Sequence, residues 1–223
     1  MGRTKTSSGR LPREDELQPY LLEPTGPISW QDLFGNDHPV EVEVGSGKGL
    51  FLISAATQFP KRNFFGIEIA RKFARFTAGR LAKRSLANAR IAQADARRVL
   101  TEWLPVASVA ALHVYFPDTW WKRRHKKRRI FTESFVTQIS RVLVPHGELH
   151  VASDVEEYFR EIEQLLNRHA AFSRAESARA RHAEHDLDYL TNFERKYRKV
   201  GKLIYRSHFV RLCEQVSPAI DRG

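Results

Sequence analysis

EVEVGSGKG, Glu41 to Gly49, passes from strict alternation into three glycines spaced by two. Val40, Val42 and Val44 alternate with Glu41 and Glu43 at the two-residue period of a strand, and the stretch from Gly49 to Gln58 then has the apolar content of a buried helix. Strand, glycine turn and helix in that order bring bare backbone close to a ligand at a helix N-terminus. A phosphate-binding P-loop would need Gly at position 42 and Ser or Thr at 49, where Val42 and Gly49 stand. A dinucleotide fingerprint would need its third glycine at position 50, which is Leu50; that disfavours NAD without excluding it.

On either side of this turn the chain repeats one rhythm. Short apolar runs at 63–69, 89–94, 109–116, 147–153 and 202–210 alternate with amphipathic stretches at 70–86 and 130–143, and residues 155–169 read as a further helix. Strands alternating with helices predict an α/β fold, a mostly parallel sheet covered by helices on both faces. Residues 1–35, with Pro12, Pro19, Pro24 and Pro27 and a polar, basic start, read as a flexible N-terminal arm rather than a core element. Residues 36–223 read as one domain, within which 174–188 is an exposed connector.

The charge is strongly local. The net charge is +11, yet Lys61 to Arg90 holds nine basic residues against one acid, and Lys122 to Arg129 holds seven in eight positions, so the remainder is net negative. Such concentration points to a polyanionic partner, nucleic acid before membrane. Cys213 is the only cysteine, which leaves no intrachain disulfide and fits a reducing cytoplasm. No apolar run approaches the length of a membrane span, so no membrane partner is expected. The pair His182 and His185 in HAEH lacks further ligands and reads as exposed loop, so no metal is expected; oligomeric state stays open.

Carboxylates recur where the strands end. Glu43 lies two residues before the first glycine, Glu68 closes the second strand, where an acid meets ribose hydroxyls, and Asp95 follows the third, where a carboxylate accepts from an adenine amino group. Asp118 follows the fourth. Any one of these is as readily a helix cap; four in register with a glycine loop are harder to explain that way. An acid followed by GxGxG resembles motif I of Rossmann-like S-adenosylmethionine-dependent methyltransferases.

FPDTWWKRRHKKRR, Phe116 to Arg129, is more specific. With TNFE, Thr191 to Glu194, it makes residues 40–210 resemble the bacterial tRNA (guanine-N7)-methyltransferases of the TrmB family, which show FPDPWPKKRHxKRR and TxFE. Thr119 and Trp121 stand where the family usually has proline, so the turn carrying Asp118 loses two fixed φ angles. The resemblance implies a class I methyltransferase domain with S-adenosylmethionine held by Glu43, Gly45, Gly47, Gly49, Glu68, Asp95 and Asp118. It also implies substrate contacts from Lys122, Asp154, Thr191, Asn192, Phe193 and Glu194, and tRNA phosphate contacts from Arg123, Arg124, Lys126, Lys127, Arg128 and Arg129. The implied reaction gives 7-methylguanosine at guanine-46 in the tRNA variable region, with Asp118 as the catalytic group. Two rivals remain: a non-catalytic RNA-binding protein on the same fold, and a methyltransferase for another substrate such as rRNA.

Overall fold

The computed structural model describes residues 14–120, 123–175, 201 and 203–213, with Glu14 and Arg123 described by backbone alone. Its elements, in chain order, are α1 (Glu14–Leu17), β1 (Leu21–Leu22), α2 (Trp30–Phe34), β2 (Val40–Val44), α3 (Leu50–Gln58), β3 (Asn63–Glu68), α4 (Arg71–Ala82) and β4 (Ala89–Gln93). There follow α5 (Ala96–Arg98), a π-helical turn (Val99–Trp103), β5 (Val109–Tyr115), a 3-10 helix (Arg123–Arg128), α6 (Glu133–Val142), β6 (Leu143–Ser153), α7 (Glu156–Arg168), β7 (Phe172–Ala175) and β8 (Tyr205–Arg211).

The strands form one eight-stranded sheet in the order β1-β4-β3-β2-β5-β6-β8-β7. Pairing is parallel from β1 through β6, and β8 runs antiparallel to both of its neighbours. Chain order reverses direction on either side of β2, and an open α/β sheet binds its ligands at such a switch point, outside the carboxyl ends of the strands. The glycine turn lies at the end of β2.

Both faces are covered, and the sequence shows why. Val42, Val44, Phe65, Ile67, Leu112, Val114, Leu149 and Val151 pack with Phe135, Val136 and Ile139 of α6 and Tyr158, Phe159 and Ile162 of α7. On the other face α3 buries every residue from Leu50 to Ala56, which is why LFLISAA is apolar all round rather than striped. Leu52 and Ile53 are fully buried there, each stabilising by about 1.5–3 kcal/mol. Thr132 starts α6 by accepting from the Phe135 amide at 3.2 Å. The cap of α6 is therefore Thr132 and not Asp118.

Residues 14–35 differ from the loose arm expected of them. Leu17 and Ile28 are buried, β1 pairs with β4, and the Ser29 hydroxyl caps α2 from 3.2 Å. Prolines stopped any long element without preventing short ones from docking through single apolar side chains.

Candidate active site

Each glycine of the turn has positive φ, +79° at Gly45, +52° at Gly47 and +69° at Gly49. These left-handed values suit a residue without Cβ. The Ile67 carbonyl accepts from the Gly45 and Ser46 amides at 2.8 and 3.2 Å, tying the turn to β3. Glu68 finishes the work: one carboxylate oxygen accepts from the Gly47 amide and the other from the Ala70 amide, both at 2.8 Å. Each oxygen keeps a second lone pair for a further donor such as a hydroxyl.

Glu41 and Glu43 lie on the same side of β2 and behave oppositely. Burial would raise the Glu41 carboxyl, but His113 and Arg62, at 2.9 and 2.5 Å, outweigh it and hold Glu41 below the usual range. Glu43, 3% exposed, has no such cation among the described residues, and its Oε2 has no hydrogen-bond partner among them. Burial, reinforced by the nearby Glu68 charge and only partly offset by Ser46, pushes Glu43 up to about 8. An orphaned buried acid beside a turn of bare amides is a fitting cradle for the ammonium and the carboxylate of the amino-acid end of S-adenosylmethionine.

A pH dependence follows. Glu43 stays protonated in the folded chain up to about pH 8 and ionises near 4.5 when unfolded, so the native state binds the extra proton and loses stability as pH rises between those values. Glu43→Gln is therefore expected to raise the melting temperature relative to the wild-type chain more at pH 8.5 than at pH 5, as read by thermal melts. Equal shifts at both would mean that Glu43 ionises freely.

Asp95 caps α5, accepting from the Arg97 amide at 2.9 Å, and remains exposed at the end of β4. Asp118 is exposed beyond β5, in a turn whose two flanks are strained. Phe116 and Trp120 have φ of +53° and +45°, a region that bulky side chains avoid at a cost of roughly 1–3 kcal/mol each. The turn is held from both sides: the Phe116 amide donates to the Ala152 carbonyl at 2.7 Å, and Arg129 Nε donates to the Thr119 carbonyl at 2.8 Å. Thr119, which stands where the family usually has proline, is thus clamped through its carbonyl by Arg129.

The clamp corrects one expectation. Arg129 is 6% exposed, pairs with Glu161 and lies over the Tyr158 ring at 4.4 Å, so it is built into the turn rather than offered to phosphate. Its neighbours differ. Arg124 and Lys127 are at the surface, Lys126 is half-buried and meets Glu157 at 3.2 Å, and Arg128 lies over the Trp120 ring at 5.1 Å. Trp120 also meets His125 edge-on at 5.9 Å, so this half-buried indole shapes the basic segment itself. Asp154 sits just past β6, half-buried. Lys122 and Thr191, Asn192, Phe193 and Glu194 lie outside the described residues, as does HAEH.

Glu43, Glu68, Asp95 and Asp118 thus lie at the carboxyl ends of β2, β3, β4 and β5, four neighbours in one parallel sheet. Two contributors were missed by sequence reasoning. Thr77, fully buried on α4, donates to the Gly47 carbonyl at 3.0 Å, and its signal, one polar residue on an apolar helix face, was there to be read. Ile69 is 67% exposed beside Glu68, an apolar surface left in the open where the sequence reading had taken it for the last strand residue.

Comparison with known proteins agrees with this geometry. The family model described as "Putative methyltransferase" matches residues 37–207. A tRNA (guanine-N(7)-)-methyltransferase of Rhodopirellula baltica is 44% identical over 185 residues, 80% of this chain and 68% of its own. The same enzyme of Rubrobacter xylanophilus is 31% identical over 95% of this chain and 97% of its own. Among solved structures, the 16S rRNA methyltransferase KamB superposes with a TM-score of 0.61 at 18% identity, over 82% of this chain and 93% of that one. A SAM-dependent O-methyltransferase of Thermotoga maritima superposes with 0.53 at 14% identity, over 86% and 69%. These two likenesses speak for the fold alone, that of class I methyltransferases. The first of these relatives covers 80% of this chain at 44% identity and the second 95% of it along 97% of its own length, so this chain belongs to the bacterial tRNA (guanine-N7-)-methyltransferase family and is a methyltransferase.

Proposed function

We propose that the chain methylates N7 of a guanine in the variable region of tRNA, guanine-46, with S-adenosylmethionine as donor. The observation that carries the reading is Asp118, exposed on a clamped, strained turn between the glycine cradle and the basic 3-10 helix. Bound S-adenosylmethionine supplies an electrophilic methyl on a sulfonium. Glu43 and the turn amides would hold its amino-acid end, Glu68 its ribose hydroxyls, and Ile69 with Asp95 its adenine.

Guanine N7 carries a free lone pair at neutral pH, so no proton leaves the attacking atom and no general base is needed. The methyl–sulfur electron pair stays on the departing thioether, and positive charge moves onto the guanine ring. A carboxylate that accepts from guanine N1–H and the exocyclic amine both orients the base and offsets that charge. Asp118 has the exposure and position for this. Asp154 and Glu194 are proposed to share the reading of the guanine edge.

The test is methyl transfer from labelled S-adenosylmethionine to unmodified bulk tRNA, followed by nucleoside analysis. The expected product is 7-methylguanosine at one position. Methylation of rRNA instead, or salt-sensitive tRNA binding without any methylation, would overturn the reading in favour of one of its rivals.

The basic segment divides into two classes. Removing Arg124 or Lys127 is expected to weaken tRNA binding and to flatten the log–log dependence on salt by about one unit each, as lost phosphate contacts do. Arg129→Ala should leave that slope unchanged and lower turnover about tenfold or more, because it frees the Thr119 carbonyl and the turn beneath Asp118. Filter binding across salt concentrations, paired with single-turnover rates, separates the two. A changed slope in Arg129→Ala would return that residue to the phosphate contacts.

A further inference from the structure

Away from the carboxyl edge, the sheet carries a feature that neither the methyl-transfer reading nor the basic segment uses. Strand register places His113 of β5 beside His150 of β6, and His150 directly across from His208 of β8. The three imidazoles stack in a row, His113 on His150 at 4.9 Å and 8°, His150 on His208 at 4.5 Å and 10°. Glu148, two residues before His150 and hence on the same face, aims one carboxylate oxygen at the middle ring and at the outer ring of His208. Its Oε2 lies 2.8 Å from His150 Nε2 and 3.4 Å from His208 Nε2.

The two ends of the row differ. His113 has both nitrogens engaged, Nε2 by Glu41 and Nδ1 by the Tyr115 hydroxyl, each at 2.9 Å, so it fixes the row without being able to donate to anything further. His208 Nε2 is buried and makes no hydrogen bond among the described residues. A buried imidazole nitrogen without a partner, next to a second imidazole and a carboxylate, is a costly arrangement if nothing else belongs there.

We propose that Glu148, His150 and His208 form a site for one divalent transition-metal ion of the zinc type, pinning the antiparallel strand β8 to β6. One atom from each side chain lies within 4.8 Å of the others. In a tetrahedral shell with bonds of about 2.1 Å, neighbouring ligand atoms sit about 3.4 Å apart, so binding draws the three atoms together and turns the two stacked rings until their in-plane lone pairs converge. Two imidazoles and a carboxylate are the donor set that zinc and its neighbours take, with a fourth position left for water. The consequence is a clamp rather than a catalytic centre: β8 is the strand by which the chain returns to the sheet after residues 176–200, among which Thr191 to Glu194 fall.

The test uses the full chain without added histidines, stripped with chelator and titrated with Co²⁺. Expected are one equivalent bound, the visible absorption of low-coordinate cobalt, its displacement by Zn²⁺, and a melting temperature that rises with Zn²⁺ and falls back with chelator. His208→Ala and His150→Ala should weaken binding by more than the roughly 10- to 100-fold that loss of a mere outer partner costs. Glu148→Gln, at a half-exposed position with little risk to folding, should weaken it at least tenfold. His182→Ala with His185→Ala should change nothing. No saturable binding by the wild-type chain, full binding in Glu148→Gln, or loss only in the His182 and His185 variant would each overturn the proposal.

Discussion

Asp118→Asn is expected to lower the single-turnover rate of methyl transfer by about 100- to 1000-fold, the usual loss when a charge aimed at a developing ion is removed. The size follows from chemistry that offers no other assistance. N7 needs no deprotonation and the leaving thioether needs no protonation, so catalysis reduces to holding the base in line and offsetting its new charge. Asparagine fills the same space, but it is neutral and presents amide hydrogens to guanine groups that are themselves donors. Affinity for S-adenosylmethionine, measured by calorimetry without tRNA, is expected to stay within about threefold, because the cradle at Gly45 to Gly49 is a separate part of the edge. An unchanged rate would remove Asp118 from the mechanism.

Gly49→Ala is expected to abolish cofactor binding and to destabilise the chain by about 2–4 kcal/mol. A Cβ at Gly49 would lie 2.2 Å from Thr77 Cγ2 and 2.8 Å from its Oγ1, at a φ of +69° that L side chains rarely adopt. Thr77 cannot step aside at low cost, because it is fully buried and its hydroxyl holds the Gly47 carbonyl. The two costs are separable. Adding Thr77→Ser removes the methyl that clashes and keeps the hydroxyl, so the double variant should regain part of the lost stability while the backbone strain persists. Denaturant unfolding of the four chains reads this coupling; strict additivity would mean that the loop relaxes away from Thr77.

The parts of the fold that were legible in the sequence share a property: they bury long apolar runs. The expected strands at 40–44, 63–69, 89–94 and 109–116 correspond to β2, β3, β4 and β5 within a residue or so, and the switch point follows from their order. Elements too short to display a period escaped. Leu21–Leu22 and Phe172–Ala175 are strands only because a neighbour offers its edge, and Val99–Trp103 takes its π-helical turn in a stretch too short to show a helical period. The site was legible in its charges and not in its constraints. Four carboxylates could be assigned to strand ends by counting, whereas the neutral state of Glu43, the left-handed Phe116 and Trp120, and the recruitment of Arg129 depend on what lies next to them in space. The histidine row was the least visible, since His113, His150 and His208 meet only through the register of three strands.

The two residues of β1 have a consequence out of proportion to their length. They cover the outer edge of β4: Leu21 and Leu22 lie beside Ile91 and Ala92, and the Ile91 amide donates to the Tyr20 carbonyl at 2.8 Å. Removed, they would leave a row of unpaired amides and carbonyls beside the fully buried Ile91 and Ala92, the kind of border along which separate molecules join edge to edge. The short strand Leu21–Leu22 thus acts as a guard against self-association, and shortening the chain to Glu23 should show first as aggregation of freshly made protein.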